Sequence, residues 1–382
     1  MSTPLPRSEF AVTQRYVYLN HAAAGVLPAV SVREIERFAR AHAGSGVLGT
    51  FAYDLKLDEY RQRIGAFIGG SGEEIALVLN TSAGASTVAQ TVDWAPGDEV
   101  VLCDYEFPAN VIPWLALRQR GVNVRVVAMQ REHLTPDRLQ REISPRTRAV
   151  AVSWVSYADG YRHDLGGLAA VAHSSGALLC VDAMQGLGVL PIRVRELGVD
   201  ALYAGAAKWM LGLHGAAFVY LSPQLNSRST PAMPGWRSMA NMWDFHNYEQ
   251  PFTTAASRFE GGTPNVVGAL SMVCAIDLFE RCGTAAIAEH VMGLTDRLYR
   301  GLSELDVEIL SQRGPECSSG IVTFSLRDCD SMAVGRALEG EGIVTTYRSS
   351  GIRVSPHGYN TAEEIDAMLD SLKRIACAKV SV

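Results

Sequence analysis

Four short stretches place side chains where they could do chemistry together. In DALYAGAAKWMLG, Lys208 leaves a strand-like run through the small residues Gly205, Ala206 and Ala207, which lets a bulky group approach. Apolar surroundings lower a lysine's pKa and favour the neutral amine that attacks an aldehyde. A solvated lysine after a strand is the plainer reading of this stretch alone. In ALLCVDAMQG, Asp182 ends an apolar run and Gln185 follows one turn on; a carboxylate there needs a cationic partner, because an unpaired buried charge is costly. LNTSAGAST enters a helix, so Ser82, Ala83 and Gly84 could present backbone N–H groups and a hydroxyl to a phosphate, or could form an ordinary N-cap turn. In GIRVSPHGYN, Arg353 offers a planar fork to a carboxylate, unless it makes a routine surface ion pair.

The elements that must position these residues read as a βαβ rhythm. EVVLC (99–103), RAVAVSWV (148–155), ALLCVD (177–182), DALYAG (200–205) and AAFVYL (216–221) are expected strands, and LGGLAAVAHSSG (165–176) is an intervening helix. Their near-continuous apolar character fits a parallel sheet covered on both faces. All four chemical stretches then fall at strand ends, where open parallel sheets bind ligands. From 223 to 264 the pattern breaks into a Gly/Pro/aromatic-rich stretch, more often functional or interfacial than idle. Its Trp236, Arg237, Trp243, Phe245 and Tyr248 are expected to shape substrate choice or to pack a subunit interface. Helices are expected at 268–283, 288–305, 331–340 and from 361, with a strand at 321–326. The chain thus divides into an N-terminal segment (1–14) packing on the smaller unit, a large α/β domain (15–258) and a smaller α+β domain (259–382).

Bulk composition narrows the function class. The 382 residues are 48% hydrophobic and 19% charged, which is globular, and a net charge of -6 provides no basic surface for nucleic acid or anionic lipid. No apolar run approaches the roughly 20 residues that span a bilayer, and MSTPLPRSEF has no apolar h-region. The seven cysteines are scattered without CxxC spacing, arguing against a disulfide framework or structural zinc, and Cys103 and Cys180 are expected to fill core space. A cytoplasmic enzyme of small-molecule chemistry is the expectation, with no metal, since no histidine pair shows HExxH spacing. GLGVLP (186–191) begins like a dinucleotide loop but has Pro191 where the third glycine belongs.

Taken together, an anion cradle, a buried acid, a lysine and a carboxylate clamp meet the needs of pyridoxal 5'-phosphate (PLP). The ordered blocks YLNHAAAG (18–25), NTSAGAS (80–86), YEFPANVIPW (105–114), VSYADG (155–160), VDAMQG (181–186), AGAAKW (204–209), GGTPN (261–265) and RVSPHGYNT (353–361) resemble the class V aminotransferase family of fold-type I PLP enzymes. That family includes cysteine desulfurases, cystine C–S lyases and isopenicillin N epimerase. The resemblance implies an α/β fold with a mostly parallel seven-stranded sheet and a smaller α+β domain. It implies Lys208 as the Schiff-base lysine, Asp182 on the pyridine nitrogen, Gln185 on the phenolic oxygen and Phe107 stacked on the ring. It implies Ala23 and His21 with Arg353 at the substrate carboxylate. Thr263 would reach the phosphate of a neighbouring subunit, which makes a homodimer with interfacial active sites part of the same implication.

Three departures matter. Gly205–Ala206–Ala207 stands where many relatives have Ser-Gly-His, so two usual phosphate ligands are absent. Tyr157 replaces an asparagine near the cofactor oxygen and could donate a hydrogen bond instead. The segment YRSSGIRVS (347–355) contains no cysteine, which removes the desulfurase nucleophile. The resulting expectation is an amino-acid enzyme working through an external aldimine and a Cα carbanion, as a C–S or other β-eliminating lyase. An aminotransferase or epimerase of the same family is the alternative, and a catalytically degenerate scaffold a remote one.

Overall fold

The computed structural model describes residues 3–129 and 132–379. Strand β1 (Val17–Tyr18) precedes helices α1 (Ala29–Ser45), α2 (Val47–Asp54) and α3 (Leu57–Phe67). There follow β2 (Ile75–Val78), α4 (Thr81–Thr91), β3 (Glu99–Cys103), α5 (Ile112–Leu115), β4 (Asn123–Val127), α6 (Pro136–Glu142) and β5 (Thr147–Ser153). Then come α7 (Leu165–Ser174), β6 (Leu178–Asp182), β7 (Ala201–Gly205), β8 (Ala217–Leu221) and α8 (Pro223–Ser227). The remainder holds α9 (Val266–Cys282), α10 (Thr284–Ser303), β9 (Val307–Ile309), β10 (Val322–Leu326), α11 (Ser331–Gly340), β11 (Ile343–Val344), β12 (Thr346–Arg348), β13 (Gly351–Val354) and α12 (Ala362–Lys379).

The large sheet has seven strands in the order β2-β8-β7-β6-β5-β3-β4, and only β8 runs against the others. Alternation along each strand explains its apolar runs. Leu179 and Val181 of β6 enter one apolar cluster, while Leu178 and Cys180 enter the cluster on the opposite face. Cys103 and Cys180 are buried in these two clusters, as core filling requires. Strand β4 escaped sequence reading because it is an edge: NVRVV buries only its second and fifth residues. No described helix is long and apolar enough to cross a membrane.

A second, antiparallel sheet (β12-β13-β10-β9) carries its own core, in which Phe324, Ile352 and Val354 pack under α10, α11 and α12. Helix α9, placed with the smaller unit from sequence, packs against α1 and α3, and its buried side chains join the larger cluster. The N-terminal residues bridge the two bodies: Leu5 N–H donates to Gly358 O, Phe10 stacks on Tyr359, and β1 pairs in parallel with β11. The irregular stretch before α9 is tied down by Glu260, a fully buried carboxylate that accepts two bonds from Arg61 and one from Leu77 N–H. Breaking only one side of such a buried pair strands a charge, which makes it a firm anchor.

Candidate active site

Because β2, β3, β5, β6 and β7 run parallel, their C-terminal ends share one edge of the sheet, and the loops beyond them converge. Of the expected residues, Ser82, Phe107, Tyr157, Asp182, Gln185 and Lys208 line one cavity of about 230 Å³. Arg353 lines a larger cleft of about 910 Å³ between the two sheets, and Tyr157 borders both spaces. His21, Ala23, Ala83, Gly84 and Thr263 line neither.

Lys208 is delivered by β7 and held by its backbone: Gly25 N–H donates to Ala207 O, and Leu211 N–H to Lys208 O. Any side chain at Gly25 would start 2.0 Å from the Lys208 carbonyl, so the N-terminal strap can pass beneath the lysine only as glycine. The ammonium makes no hydrogen bond or ion pair among the described residues and sits 5.4 Å from the Phe107 ring centroid. Burial lowers its pKa to about 8, against an opposing pull from Asp182, with Arg353 and Arg348 lowering it further. Asp182 is 4% exposed, and burial raises its pKa to about 6, partly offset by Met184 N–H donating to Oδ1 at 2.8 Å and by Lys208. Among the described residues its second oxygen accepts no hydrogen bond, so a buried acid keeps unspent capacity at a cavity wall.

Gln185 is oriented from behind. Its Nε2 donates to Ala22 O at 3.0 Å and its Oε1 accepts from Trp209 Nε1 at 2.9 Å, which leaves one amide N–H to spare. At the start of α4 the sequence expectation needs correction. Ala83 N–H donates to Asn80 Oδ1 and Gly84 N–H to Asn80 O, so both amides are spent on the helix's own cap. Gly84 is required for packing instead, since an added Cβ would meet Tyr203 Cβ at 2.7 Å. The free N–H and hydroxyl donors belong to Thr81 and Ser82, which line the cavity with Asn80.

Arg353 is 7% exposed and lacks a carboxylate partner among the described residues. Its Nη1 donates to Tyr157 O at 2.7 Å and its Nη2 to Thr346 Oγ1 at 3.2 Å, while Nε is buried with no partner. Burial, aided by Arg348, depresses its pKa to about 10. A buried guanidinium without a counter-ion is costly to the apoprotein and suited to an incoming anion.

His21 stands behind the site. Nδ1 must carry its proton, because it faces Ser355 O at 2.9 Å; Nε2 then accepts from Tyr359 Oη at 2.7 Å. Full burial depresses its pKa well below the usual histidine range, which keeps it a neutral strut between the N-terminal strap and the 355–359 loop. Ala23 is exposed beside it, and Thr263 is exposed in the loop before α9.

One network escaped sequence reading. Glu106, beside Phe107, accepts from Ser153 N–H at 2.7 Å, from the Ser153 hydroxyl and from Asn110 Nδ2; Asn110 in turn bonds Tyr203 Oη. Burial raises Glu106 to about 7, against those three donors. The network moors the loop that aims Phe107 at Lys208. Its only sequence signal was the acid next to the aromatic in YEFPAN, which acquires meaning once Ser153 is seen across the strand end.

The chain is similar to known proteins over nearly its whole length. The family model described as Aminotransferase class-V matches residues 17–368. A probable cysteine desulfurase of Methanothermobacter thermautotrophicus is 30% identical, with 98% of each chain covered. A cysteine desulfurase of Enterobacter sp. is also 30% identical, covering 98% of this chain and 99% of its own. Among solved structures, the apo cysteine desulfurase of Thermococcus onnurineus superposes with a TM-score of 0.87 at 25% identity, covering 98% of this chain and 99% of its own. A C-DES mutant with glycine covalently linked to its PLP cofactor superposes with a TM-score of 0.89 at 23% identity, covering 96% and 98%.

Proposed function

We propose, since this chain belongs to the class V aminotransferase family, that it is a PLP-dependent enzyme which expels a substituent from Cβ of an amino acid, as a C–S or other β-eliminating lyase. The residues fit the cofactor. A cavity walled by an unbonded lysine, an acid with a free oxygen and uncapped helix donors matches an aldehyde, a protonatable ring nitrogen and a phosphate. Lys208 would hold the aldehyde, Asp182 the ring nitrogen and Gln185 the phenolic oxygen through its spare N–H. Thr81 and Ser82 would supply the phosphate hydrogen bonds that Gly205 and Ala207 lack the side-chain donors to make, and Phe107 would cover the ring face. When bound, PLP supplies an electron sink for charge developing at the substrate Cα.

The chain's own groups do the rest. Arg353 holds the substrate carboxylate and so fixes which Cα bond faces Lys208. Lys208, already a weak base near neutrality, takes the Cα proton. What carries the lyase reading is the β12–β13 hairpin, which borders the cleft but offers no thiol between Tyr347 and Ser355. The purified enzyme supplied with cystine or cysteine conjugates should release pyruvate and ammonia; failure across a broad panel would count against elimination. Oxo acid without ammonia would mark transamination, and a racemised substrate epimerisation.

A second reading rests on Cys329, which borders the same cleft from the loop before α11 while packing against the small core. If that thiol reaches the substrate sulfur, cysteine should yield alanine and enzyme-bound sulfur rather than pyruvate. A Cys329→Ser variant separates the two outcomes.

Two further expectations follow from charge. Arg353→Gln should raise KM for a free amino acid about 30- to 100-fold, because a charge-assisted fork is removed, while KM for its methyl ester changes little. Equal effects on both would show that Arg353 does not hold the carboxylate. Cofactor capture by apoenzyme requires neutral Lys208. With the pKa lowered to about 8, the capture rate should climb as pH rises from 6 and level off above about 9, whereas an ordinary lysine would keep gaining to beyond pH 10. Absorbance stopped-flow reads this directly.

Trp236, Trp243, Phe245 and Phe51 form an exposed aromatic patch and line neither cavity, which favours the interface role for this stretch over substrate choice. The homodimer, with Thr263 facing a neighbour's phosphate, is proposed on that support and is tested by light scattering. The free cysteines among the described residues support a cytoplasmic location, testable by cell fractionation.

A further inference from the structure

The face of the small sheet turned toward the cleft carries more positive charge than a substrate carboxylate requires. Thr346 pairs with Arg353 and Gly351 with Arg348 in the β12–β13 hairpin, so Arg348 and Arg353 project from the same face, on a diagonal. Such diagonal neighbours lie about 7–8 Å apart at the backbone, within reach of long side chains. Tyr347, next to Arg348 in sequence, points the other way, packs on Gly335 and donates to Glu339. Gly351 leaves Arg348 no neighbouring side chain directly across the strand.

Arg348 is exposed, borders the cleft and forms no hydrogen bond or ion pair among the described residues. Carboxylates also line the cleft, namely Asp104, Asp159, Glu308 and Asp328, and the first three are engaged elsewhere or distant. Asp159 holds His133 at 3.1 Å, Asp104 accepts from Met129 N–H, and Glu308 stands at the far edge of the same sheet, on β9. Neither arginine is ion-paired with any of these three. Both arginines nevertheless act on Lys208, lowering its pKa, so their charge converges on the reacting end of the site.

We propose that Arg348 recognises a second anionic group on the substrate, so that the preferred substrate is an amino acid whose side chain carries a carboxylate. The inference rests on the amino-acid reading of the site: Arg353 takes the α-carboxylate, and Arg348 takes the distal one from the solvent side. The unpaired buried Nε of Arg353 belongs with the α-carboxylate, which leaves the charge of Arg348 for the distal group.

The test uses holoenzyme and two analogues that lack the Cα proton, α-methylglutamate and 2-aminoisobutyrate, with binding read by calorimetry and by the change in cofactor absorbance. The wild type should bind the dicarboxylic analogue at least about tenfold more tightly, and the preference should shrink as salt is raised, because Arg348 is exposed. Arg348→Gln should abolish the preference while leaving 2-aminoisobutyrate binding unchanged, and Arg348→Lys should restore part of it. Equal binding of both analogues by the wild type, or equal weakening of both by Arg348→Gln, would overturn the assignment. Failure of wild-type holoenzyme to bind either analogue would overturn the amino-acid reading itself, and this inference with it.

Discussion

Replacement of Lys208 by alanine should lower turnover of an amino-acid substrate by about a thousand- to ten-thousandfold, the range expected when one group serves as both covalent anchor and proton carrier. The fold should survive, because the ammonium makes no hydrogen bond or ion pair among the described residues and its removal from a buried position relieves desolvation. Two measurements separate this from a structural defect. Borohydride treatment of the wild-type holoenzyme should fix the cofactor label on the peptide containing Lys208, and the variant should retain no label. Added methylamine should recover part of the missing rate by substituting for the absent base. Wild-type turnover in the variant, or a label on another lysine, would remove the foundation of the proposed function.

The second large effect is expected at Asp182. Asparagine has nearly the same shape and can still accept the Met184 N–H bond, so Asp182→Asn removes charge and little else. Loss of a single buried, preorganised charge facing the reacting system should cost about a hundred- to a thousandfold in kcat. KM should move far less, because Arg353 and Lys208 are untouched. The apoprotein should gain stability near pH 7, since the burial that raises the Asp182 pKa to about 6 makes its ionised form unfavourable there. The sign follows from the raised folded-state pKa: above it, an unpaired buried carboxylate costs folding energy that a neutral amide does not. Equal kcat for the two proteins would place Asp182 outside the chemistry.

Both predictions concern residues whose importance could be read along the chain, because each is a polar group at or just beyond the end of an apolar strand. Parallel strands carry their C-terminal ends to one edge, so the residues following 78, 103, 153, 182 and 205 had to become neighbours once the sheet was parallel. Reading failed where the decisive fact was how hydrogen bonds are shared. Ser82, Ala83 and Gly84 read either as phosphate donors or as an ordinary N-cap turn, and the Asn80 cap spends two of the three amides and shifts the free donors to Thr81 and Ser82. His21 sat in a block resembling a substrate-binding one, yet both its nitrogens are bonded inside the core. Glu106 drew no attention because its three donors come from residues 4 and 47 positions away.

What the sequence by itself determined is therefore the layered α/β fold, the lysine–acid pair and the arginine near the C-terminus, since strand periodicity and polar strand ends are local properties. What tertiary structure alone decided is which donors remain free, which histidine is a strut, and that Arg348 shares a sheet face with Arg353. Those outcomes depend on hairpin register and on competition among distant partners for the same lone pairs, and neither is written in residue order.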